Sequence, residues 1–399
     1  MTSLTERLSL SGTLPADYDQ ASLVGRIWRP DVEGPSVVRV DATEIIDITR
    51  EFPTMRDLCE SSDPARSAKA AKGERLGPLA PILLNAHPSR RDSSKPWLIA
   101  PIDLQAVKAA GVTFAVSMLE RVIEERSRGN PAAAPAMRGE IKALIGDDLS
   151  KLKPGSDAAM KLKSLLIDKG MWSQYLEVGI GPDAEIFTKA QIMASVGHGA
   201  DAGLHPISKW NNPEPEVVAV ASSAGKIVGA TLGNDVNLRD VEGRSALLLG
   251  KAKDNNASCA LGPFIRLFDD RFTLDAVRRM ELTLTVEGPD GYVLHGRSSM
   301  SKISRDPADL VGQMIGPNHQ YPDGAVLFLG TLFAPVEDRD IKGQGFTHKI
   351  GDIVSVSSPE LGCLTNRMVL TSEAPPWTFA ASHLMRALAR RGLLSVPTS

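Results

Sequence analysis

The chain has 399 residues, of which 42% are hydrophobic and 23% charged, and its formal net charge is -3. This length predicts one large domain or two ordinary domains, and the composition excludes disordered and fibrous proteins. The near balance of 45 basic and 48 acidic residues gives no overall field that would attract nucleic acid or an anionic membrane.

The cysteines and the start of the chain bear on location. Cys59, Cys259 and Cys363 lie far apart and match no zinc-site spacing, which argues against a disulfide framework or a structural zinc. Residues 1–12 lack the basic start and apolar core of an export signal, and no uncharged apolar run approaches the roughly 20 residues of a spanning helix. We therefore expect a soluble, cytoplasmic protein without a membrane or nucleic-acid partner.

Short β-branched runs open the chain between Leu23 and Thr49, where Pro, Gly and Asp turns separate them. This pattern is typical of a small β-meander. Residues 56–91 show no clear periodicity and fit helix, loop and linker. We predict an N-terminal β subdomain with its linker over residues 1–100.

Apolar residues then recur at helical spacing from Leu104 to Arg126. Met118 and Val122 fall on one stripe, whereas Arg121 and Glu124 fall largely on another, as in an amphipathic helix. Residues 101–174 are therefore predicted to be a helical segment.

From residue 175 onward, short apolar runs alternate with Gly, Pro, Asn and Asp turns, and a helix closes the chain near residues 382–391. This pattern indicates a predominantly β domain over residues 175–399. The fold class predicted for the whole chain is α+β, rich in β structure.

Three carboxylates in and after the segment WNNPEPEVVAVAS suggest a metal site. Glu214 and Glu216 flank Pro215 at the start of a β run, so the strand period of two places both on one face, about 6 to 7 Å apart. A hairpin return would bring Asp235 to the same end. Close carboxylates repel unless a cation neutralises them, and oxygen ligands favour Mg²⁺, Mn²⁺ or Ca²⁺ over Zn²⁺. On spacing alone, a solvated strand edge with Asp235 capping a turn stays open.

The PEPE motif, the segment GNDVNLRD and a lysine ahead of Gly262-Pro263 together resemble the core of the fumarylacetoacetate hydrolase superfamily. The resemblance covers most of the chain and implies that family's mixed β-sandwich or roll, with the helical segment covering the active site. It also implies that Glu214, Glu216 and Asp235 bind Mg²⁺, with Mn²⁺ as an alternative. A homodimer or homotetramer is expected on the same ground.

The resemblance also assigns the remaining site residues. The lysine nine residues before Gly262 is Lys253, which is implied to be catalytic, whereas Lys251 is out of register by two. The other assignments are Glu185 and Glu120 as acidic catalytic candidates, and Thr331, Arg239, Ser117 and Lys189 as substrate-binding residues.

One departure from the family pattern helps to choose between reactions. Hydrolytic members carry Asn-Tyr-x-x-His-x-x-Glu on a mobile lid, where the histidine and glutamate activate water. Here Ser117 replaces the histidine, although Glu120 remains. Because a serine hydroxyl is no general base unaided, elimination of water is a better expectation than its activation.

Residues 104–394 further resemble the sugar-acid dehydratases of this superfamily, through segments such as GVTFAVSMLERVIEER and GQGFTHKIGD. This implies Mg²⁺-dependent dehydration of 2-keto-3-deoxy-D-xylonate to 2,5-dioxopentanoate in non-phosphorylative pentose degradation. Lys253, with its pKa lowered by burial and the nearby cation, would take the C3 proton, and Glu185 or Glu120 would assist departure of the C4 hydroxyl. Two alternatives stay open: hydrolysis of a carbon-carbon bond in 2,4-dioxo acids, and metal-dependent binding of a 2-oxo acid without turnover.

Overall fold

The structure is a computed structural model that describes residues 4–128, 130–133, 135–136, 152–168, 170, 172–333, 335, 337–342 and 345–394. Within these ranges, two principal β-sheets are surrounded by helices, and both sheets contain antiparallel and parallel pairs. The predicted α+β fold rich in β structure is confirmed.

The strands are β1 (Leu23–Arg29), β2 (Gly34–Asp41), β3 (Glu44–Asp47), β4 (Glu74–Pro78), β5 (Trp97–Ile99), β6 (Ala106–Ala110), β7 (Ile186–Ala190), β8 (Asp201–Leu204), β9 (Asn211–Asn212), β10 (Pro215–Ala221), β11 (Ile227–Asp235), β12 (Asn237–Leu238), β13 (Cys259–Leu267), β14 (Glu281–Glu287), β15 (Val293–Ser299), β16 (Ala325–Phe328), β17 (Ile353–Ser358) and β18 (Gly362–Leu370). The α-helices of the described ranges span Leu4–Arg7, Leu10–Thr13, Met55–Cys59, Pro64–Ala70, Leu79–Leu84, Ala115–Arg126, Asp157–Asp168, Gln174–Ile180, Arg239–Glu242, Leu249–Lys253, Leu274–Arg279, Pro307–Met314 and Ala381–Arg390. None of these helices combines the length and the apolar character needed to cross a lipid bilayer.

The larger sheet has the strand order β4-β3-β2-β1-β13-β11-β10-β16-β6-β7 in the described ranges, with β5 paired beside β1. Strands β10 and β11 form an antiparallel hairpin near its middle, and β16 pairs with the free side of β10. The smaller sheet has the order β15-β14-β17-β18-β8. A separate short pair, β9 and β12, ties the segment before β10 to the segment after β11.

The main core lies between the two sheets. Val217 and Leu232 of the larger sheet pack in one apolar cluster with Leu284 and Val356 of the smaller sheet. Alternate residues of β10, such as Val218, pack instead with the helices on the opposite face. Because side chains alternate along a strand, Glu216 shares the face of Val218, away from the core between the sheets.

The N-terminal strands are part of the larger sheet. Strand β1 pairs antiparallel with β13, with Leu23 opposite Arg266, so β1 to β4 extend the sheet that also contains β10 and β11. Whether residues 1–100 act as a subdomain, with boundaries near 100 and 174, stays a prediction.

The helix predicted from Leu104 is corrected by the structure. Residues Ala106–Ala110 form β6, parallel to β16, and the helix occupies only Ala115–Arg126. A short apolar run fits both the period of a strand and that of a helix, and pairing with β16 decides between them. Likewise, Gln174–Ile180 is a helix at the point where β structure was expected to begin. Within the predicted helical segment, residues 129, 134, 137–151, 169 and 171 lie outside the described ranges.

The helix Ala115–Arg126, called here the covering helix, packs its apolar side on another helix. Met118, Val122 and Ile123 share an apolar cluster with Leu176 of Gln174–Ile180. This packing directs the polar side of the covering helix towards the end of the β10–β11 hairpin.

Candidate metal-binding active site

Three buried carboxylates meet at one end of the β10–β11 hairpin. The register that pairs Pro215 with Asn234 sets Asp235 beside Glu214, whose carbonyl accepts the Asp235 N–H at 3.0 Å. One oxygen each of Glu214, Glu216 and Asp235 lies within 4.8 Å of the others, and each residue is 1% exposed. The structure therefore contains the predicted convergence of carboxylates, and excludes a solvated strand edge.

Two lysines face this carboxylate triad, which is Glu214, Glu216 and Asp235. The Lys253 ammonium lies 2.6 Å from Oε2 of Glu214 and 3.1 Å from Oδ2 of Asp235. Lys189 lies 2.8 Å from Oδ1 of Asp235. Burial raises the pKa of Glu214, but Arg121 and Lys253 outweigh it and lower that pKa to about 2.

Glu216 has neutral partners instead. Its carboxylate accepts the Gly330 N–H at 2.7 Å and the Thr331 hydroxyl at 3.2 Å. Burial, followed by the charges of Asp235 and Glu214, raises the pKa of Glu216 well above its usual value. A hard divalent cation would relieve this repulsion, so the three carboxylates fit such an ion by charge, ligand type and spacing.

The lowered Lys253 pKa was expected beside a bound cation, and for the metal-loaded protein it stays a prediction; between the carboxylates alone the pKa of Lys253 shifts upward. Burial lowers the pKa of Lys253, but Asp235, Glu214 and Glu242 outweigh burial and raise it above its usual value. The physical reason is that the lysine lies in contact with the carboxylates that it compensates.

The polar side of the covering helix is buried against the triad. Arg121 is 8% exposed and contacts Oε1 of Glu214, while Glu124 is 1% exposed. The Arg121 guanidinium also lies 2.5 Å from Oε2 of Glu124 and 3.4 Å from Oε2 of Glu242. The polar stripe of this helix therefore faces the site.

Arg239 anchors the covering helix. Its guanidinium lies 2.7 Å from Glu124 and 3.2 Å from Glu120, and its centre lies 4.3 Å from the ring centroid of Trp210. Another donor reaches the Pro335 carbonyl at 3.4 Å. At 1% exposure, Arg239 has the contacts of a positioning residue, and its expected contact with substrate stays a prediction.

Lys189 is likewise placed as a positioning residue. Its ammonium donates to the Val236 carbonyl at 3.1 Å and the Lys253 carbonyl at 2.6 Å, besides its ion pair with Asp235. With a longer contact of 3.5 Å to the Ser258 hydroxyl, these partners engage all three donors of the ammonium group. Its fully buried position supports fixing the triad and does not support the predicted contact with substrate.

Glu185 lies just before β7, with its side chain against the backbone of Gly111. A Cβ atom at Gly111 would lie 1.9 Å from Oε2 of Glu185, so only glycine leaves room for this side chain. Burial, followed by the charge of Glu242, raises the pKa of Glu185 to about 7, although Arg121 and Lys253 oppose this shift. Glu185 is thus suited to exchange a proton near neutral pH.

The two remaining predicted residues fall in different places. Thr331 follows β16 and is bonded to Glu216, so it lies at the triad. Ser117 belongs to the covering helix, but its side chain lies outside the described part of the structure.

Sequence reasoning missed Arg121, Glu124 and Glu242 as site residues. Glu124 lies four positions after Glu120 and three after Arg121, so it shares a helix face with each of them, and this spacing could have marked it. Glu242, 4% exposed, ends the helix that Arg239 begins. Its burial could not be read from that short acidic segment.

Part of the chain is similar to known proteins. Residues 194–369, which contain the triad and Lys253, match the family described as fumarylacetoacetate (FAA) hydrolase C-terminal. A 2-dehydro-3-deoxy-D-arabinonate dehydratase of Saccharolobus solfataricus is 32% identical over 180 residues, 45% of this chain. The match spans 57% of that relative's length, which is less than two thirds.

A second relative and a solved structure extend the match. A probable 2-keto-3-deoxyxylonate dehydratase of Haloferax volcanii is 25% identical over 316 residues, covering 79% of this chain and 88% of the relative. The structure of 2-keto-3-deoxy-D-arabinonate dehydratase complexed with magnesium and 2,5-dioxopentanoate has a TM-score of 0.58 and 22% identity, covering 87% of this chain and 98% of that one. The likeness to the solved structure shows a shared fold. Residues 194–369 are thus similar to the fumarylacetoacetate hydrolase family over a little under half of the chain.

Proposed function

We propose that the chain is a lyase that dehydrates 2-keto-3-deoxy-D-xylonate, also named 2-dehydro-3-deoxy-D-arabinonate, to 2,5-dioxopentanoate with the help of Mg²⁺. The observation that carries the proposal is the buried carboxylate triad, with Lys253 in contact with two of its members. The names of the two relatives, and of the solved structure with magnesium and 2,5-dioxopentanoate, support this choice of reaction and metal.

Glu214, Glu216 and Asp235 would hold the divalent cation, for which Mn²⁺ is the alternative to Mg²⁺. When bound, the cation supplies Lewis-acid chemistry that stabilises the negative charge developing on the keto oxygen of a 2-oxo acid. Thr331 and the Gly330 N–H orient Glu216, so they position the carboxylate that lies furthest from the lysines. Lys189 does the same for Asp235.

Lys253 is proposed as the base that takes the proton from C3 of the substrate. Its ammonium is placed at the triad, where the acidified C3–H of a chelating 2-oxo acid would lie. Because Asp235 and Glu214 raise the pKa of Lys253, the lysine acts as a base only when the charge of these carboxylates is engaged elsewhere.

Glu185 is proposed as the acid that protonates the departing C4 hydroxyl. Its pKa of about 7 keeps much of it protonated at neutral pH, as a general acid requires. Glu120 accepts a hydrogen bond from the Arg239 guanidinium, which holds the covering helix in place. This contact favours a positioning role for Glu120. Loss of the C3 proton and the C4 hydroxyl leaves an unsaturated alcohol, which isomerises to the C5 aldehyde.

One assay tests the proposal directly. The purified protein is incubated with Mg²⁺ and 2-keto-3-deoxy-D-xylonate, and the product is oxidised and identified as 2-oxoglutarate by mass spectrometry. A parallel incubation with a 2,4-dioxo acid tests carbon-carbon hydrolysis. Consumption of the dioxo acid alone would overturn the dehydratase assignment, and binding of either compound without turnover would reduce the protein to a binding function.

We propose that the chain assembles into a homo-oligomer. The resemblance to the family supports a homodimer or homotetramer, and the widely spaced cysteines support a cytoplasmic location. Light scattering on the purified protein would test the assembly, and a monomer at micromolar concentration would contradict it.

A further inference from the structure

Glu214 is the member of the triad that is paired with cations from two sides. Lys253 lies 2.6 Å from Oε2, and Arg121 of the covering helix contacts Oε1. Both carboxylate oxygens are therefore engaged by side chains of the protein. A metal ion that uses Glu214 must share or replace one of these partners.

The two cations differ in how firmly they are held. Lys253 ends the helix Leu249–Lys253, and its carbonyl is fixed by Lys189 and by the Ser258 hydroxyl at 2.8 Å. Its ammonium contacts Asp235 as well as Glu214, so the lysine is held by two carboxylates at the end of the β10–β11 hairpin. Arg121, in contrast, reaches Glu214 from a helix that packs on the site from outside.

Arg121 also has other partners for its charge. Glu124 lies 2.5 Å away on the same helix, and Glu242 lies 3.4 Å away. A guanidinium carries five donors, so Arg121 can leave Glu214 and remain paired. Glu124 is bonded independently to Arg239 at 2.7 Å, and thus its charge does not depend on Arg121.

A divalent ion on Oε1 of Glu214 would lie against the Arg121 guanidinium, where two positive charges repel each other in a buried site. The two cations therefore compete for one carboxylate oxygen. Thermodynamic linkage makes the competition reciprocal: metal binding weakens the contact between Arg121 and Glu214 by the same factor by which that contact weakens metal binding.

We propose that Arg121 is a positioning residue that competes with the divalent cation for Glu214 and thereby sets the metal affinity of the carboxylate triad. The proposal rests on the metal-binding role given to the triad in the proposed function. The position of the covering helix is consequently linked to occupancy of the metal site, because Arg121 is the contact between them.

Removing the Arg121 charge tests the competition. Isothermal titration of Mg²⁺ into the protein without substrate gives the dissociation constant for wild type, Arg121→Met and the control Arg126→Met. Arg126 is a matched control because it lies on the same helix but is exposed. We expect Arg121→Met to bind Mg²⁺ about tenfold more tightly, within the usual range of coupling between two sites, and Arg126→Met to bind as wild type does.

A dissociation constant of Arg121→Met equal to or weaker than that of wild type would overturn the proposal. If Arg121→Met does not fold by circular dichroism, Arg121→Lys decides, since it keeps a positive charge for Glu124 but has a shorter reach to Glu214. Tighter Mg²⁺ binding by Arg121→Lys supports the competition, and unchanged or weaker binding overturns it. Failure of the proposed function would look different, because wild type and both arginine variants would then bind no Mg²⁺ at all.

Discussion

Lys253 and Glu214 form a buried ion pair in which the ammonium lies 2.6 Å from Oε2. The same ammonium lies 3.1 Å from Asp235, so one lysine is the common partner of two triad carboxylates. Any change in the charge of the triad must therefore alter the proton affinity of this lysine. This coupling supports the proposed use of a lysine as a base at a metal site.

Replacement of Lys253 by alanine should abolish most of the dehydration. Loss of a general base typically lowers kcat by about 10²- to 10⁴-fold, and we expect a decrease in that range. Lys251→Ala is the matched control, since Lys251 is exposed and lies two residues earlier in the same helix. Steady-state kinetics of both variants would measure this, and equal kcat values would remove Lys253 from the reaction.

Loss of one carboxylate should disable the metal site. For Asp235→Asn we expect Mg²⁺ affinity to fall by about 100-fold or more, because the amide carries no negative charge for the ion. Loss of a residue that merely hydrogen-bonds a metal ligand already costs about 10- to 100-fold, so loss of a ligand should cost at least as much. Asp254→Asn should bind normally, since Asp254 is exposed and accepts a bond from Gln191. Titration calorimetry measures both, and chelation with EDTA should stop turnover of wild type. Undiminished Mg²⁺ binding by Asp235→Asn would contradict the proposed role of the triad in metal binding.

The pH dependence should report on Glu185. Its pKa is raised to about 7, with Glu242, Arg121, Lys253 and Glu214 as the charged groups around it. The protonated form is required of a general acid, so kcat should fall as the pH rises through about 7. Glu185→Gln should lower kcat by about 10²- to 10⁴-fold and abolish this descending limb.

The exposed neighbour Asp183 supplies the control for that profile. Asp183→Asn should keep both the kcat and the pH profile of wild type. A descending limb that persists unchanged in Glu185→Gln would show that another group controls it.

Gly111 provides an independent test of the Glu185 position. In Gly111→Ala the new Cβ would lie 1.9 Å from Oε2 of Glu185 and must displace that side chain. We expect kcat to fall by about 10²-fold, the cost of a small misplacement of a catalytic group. Gly312→Ala, in the helix Pro307–Met314, meets nothing within 4 Å and should keep full activity with a raised melting temperature. Equal kcat values for the two variants would contradict the placement of Glu185.

Lys189 should matter for stability. Lys189→Met would remove one buried partner from Asp235 and one from each of two backbone carbonyls, which costs about 3 to 5 kcal/mol. Lys108→Met in the adjacent strand β6 removes an exposed bond to Thr188 and a cation–π contact with Tyr321, and should cost about 1 kcal/mol or less. Urea unfolding compares the two, and similar free energies of unfolding would argue against a structural role for Lys189.

Several features could be predicted because they depend on local periodicity. The strand period of two sets Glu214 and Glu216 on one face wherever β10 lies in the fold. A turn between two apolar runs predicts the hairpin that brings Asp235 back to the same end, and the structure contains this hairpin, with Pro215 paired to Asn234. The predicted start of the covering helix was wrong, because the apolar run at Ala106–Ala110 is compatible with either a helix or a strand.

The sequence by itself determined which side chains could bind a hard cation, since carboxylates two residues apart on a strand converge through local geometry alone. Only the tertiary structure decided that Arg121 and Glu124 face that site. Their direction depends on how Met118 and Val122 pack on a second helix, and this contact is long-range. The raised pKa of Lys253 was decided in the same way, because it arises from carboxylates brought to it by the fold.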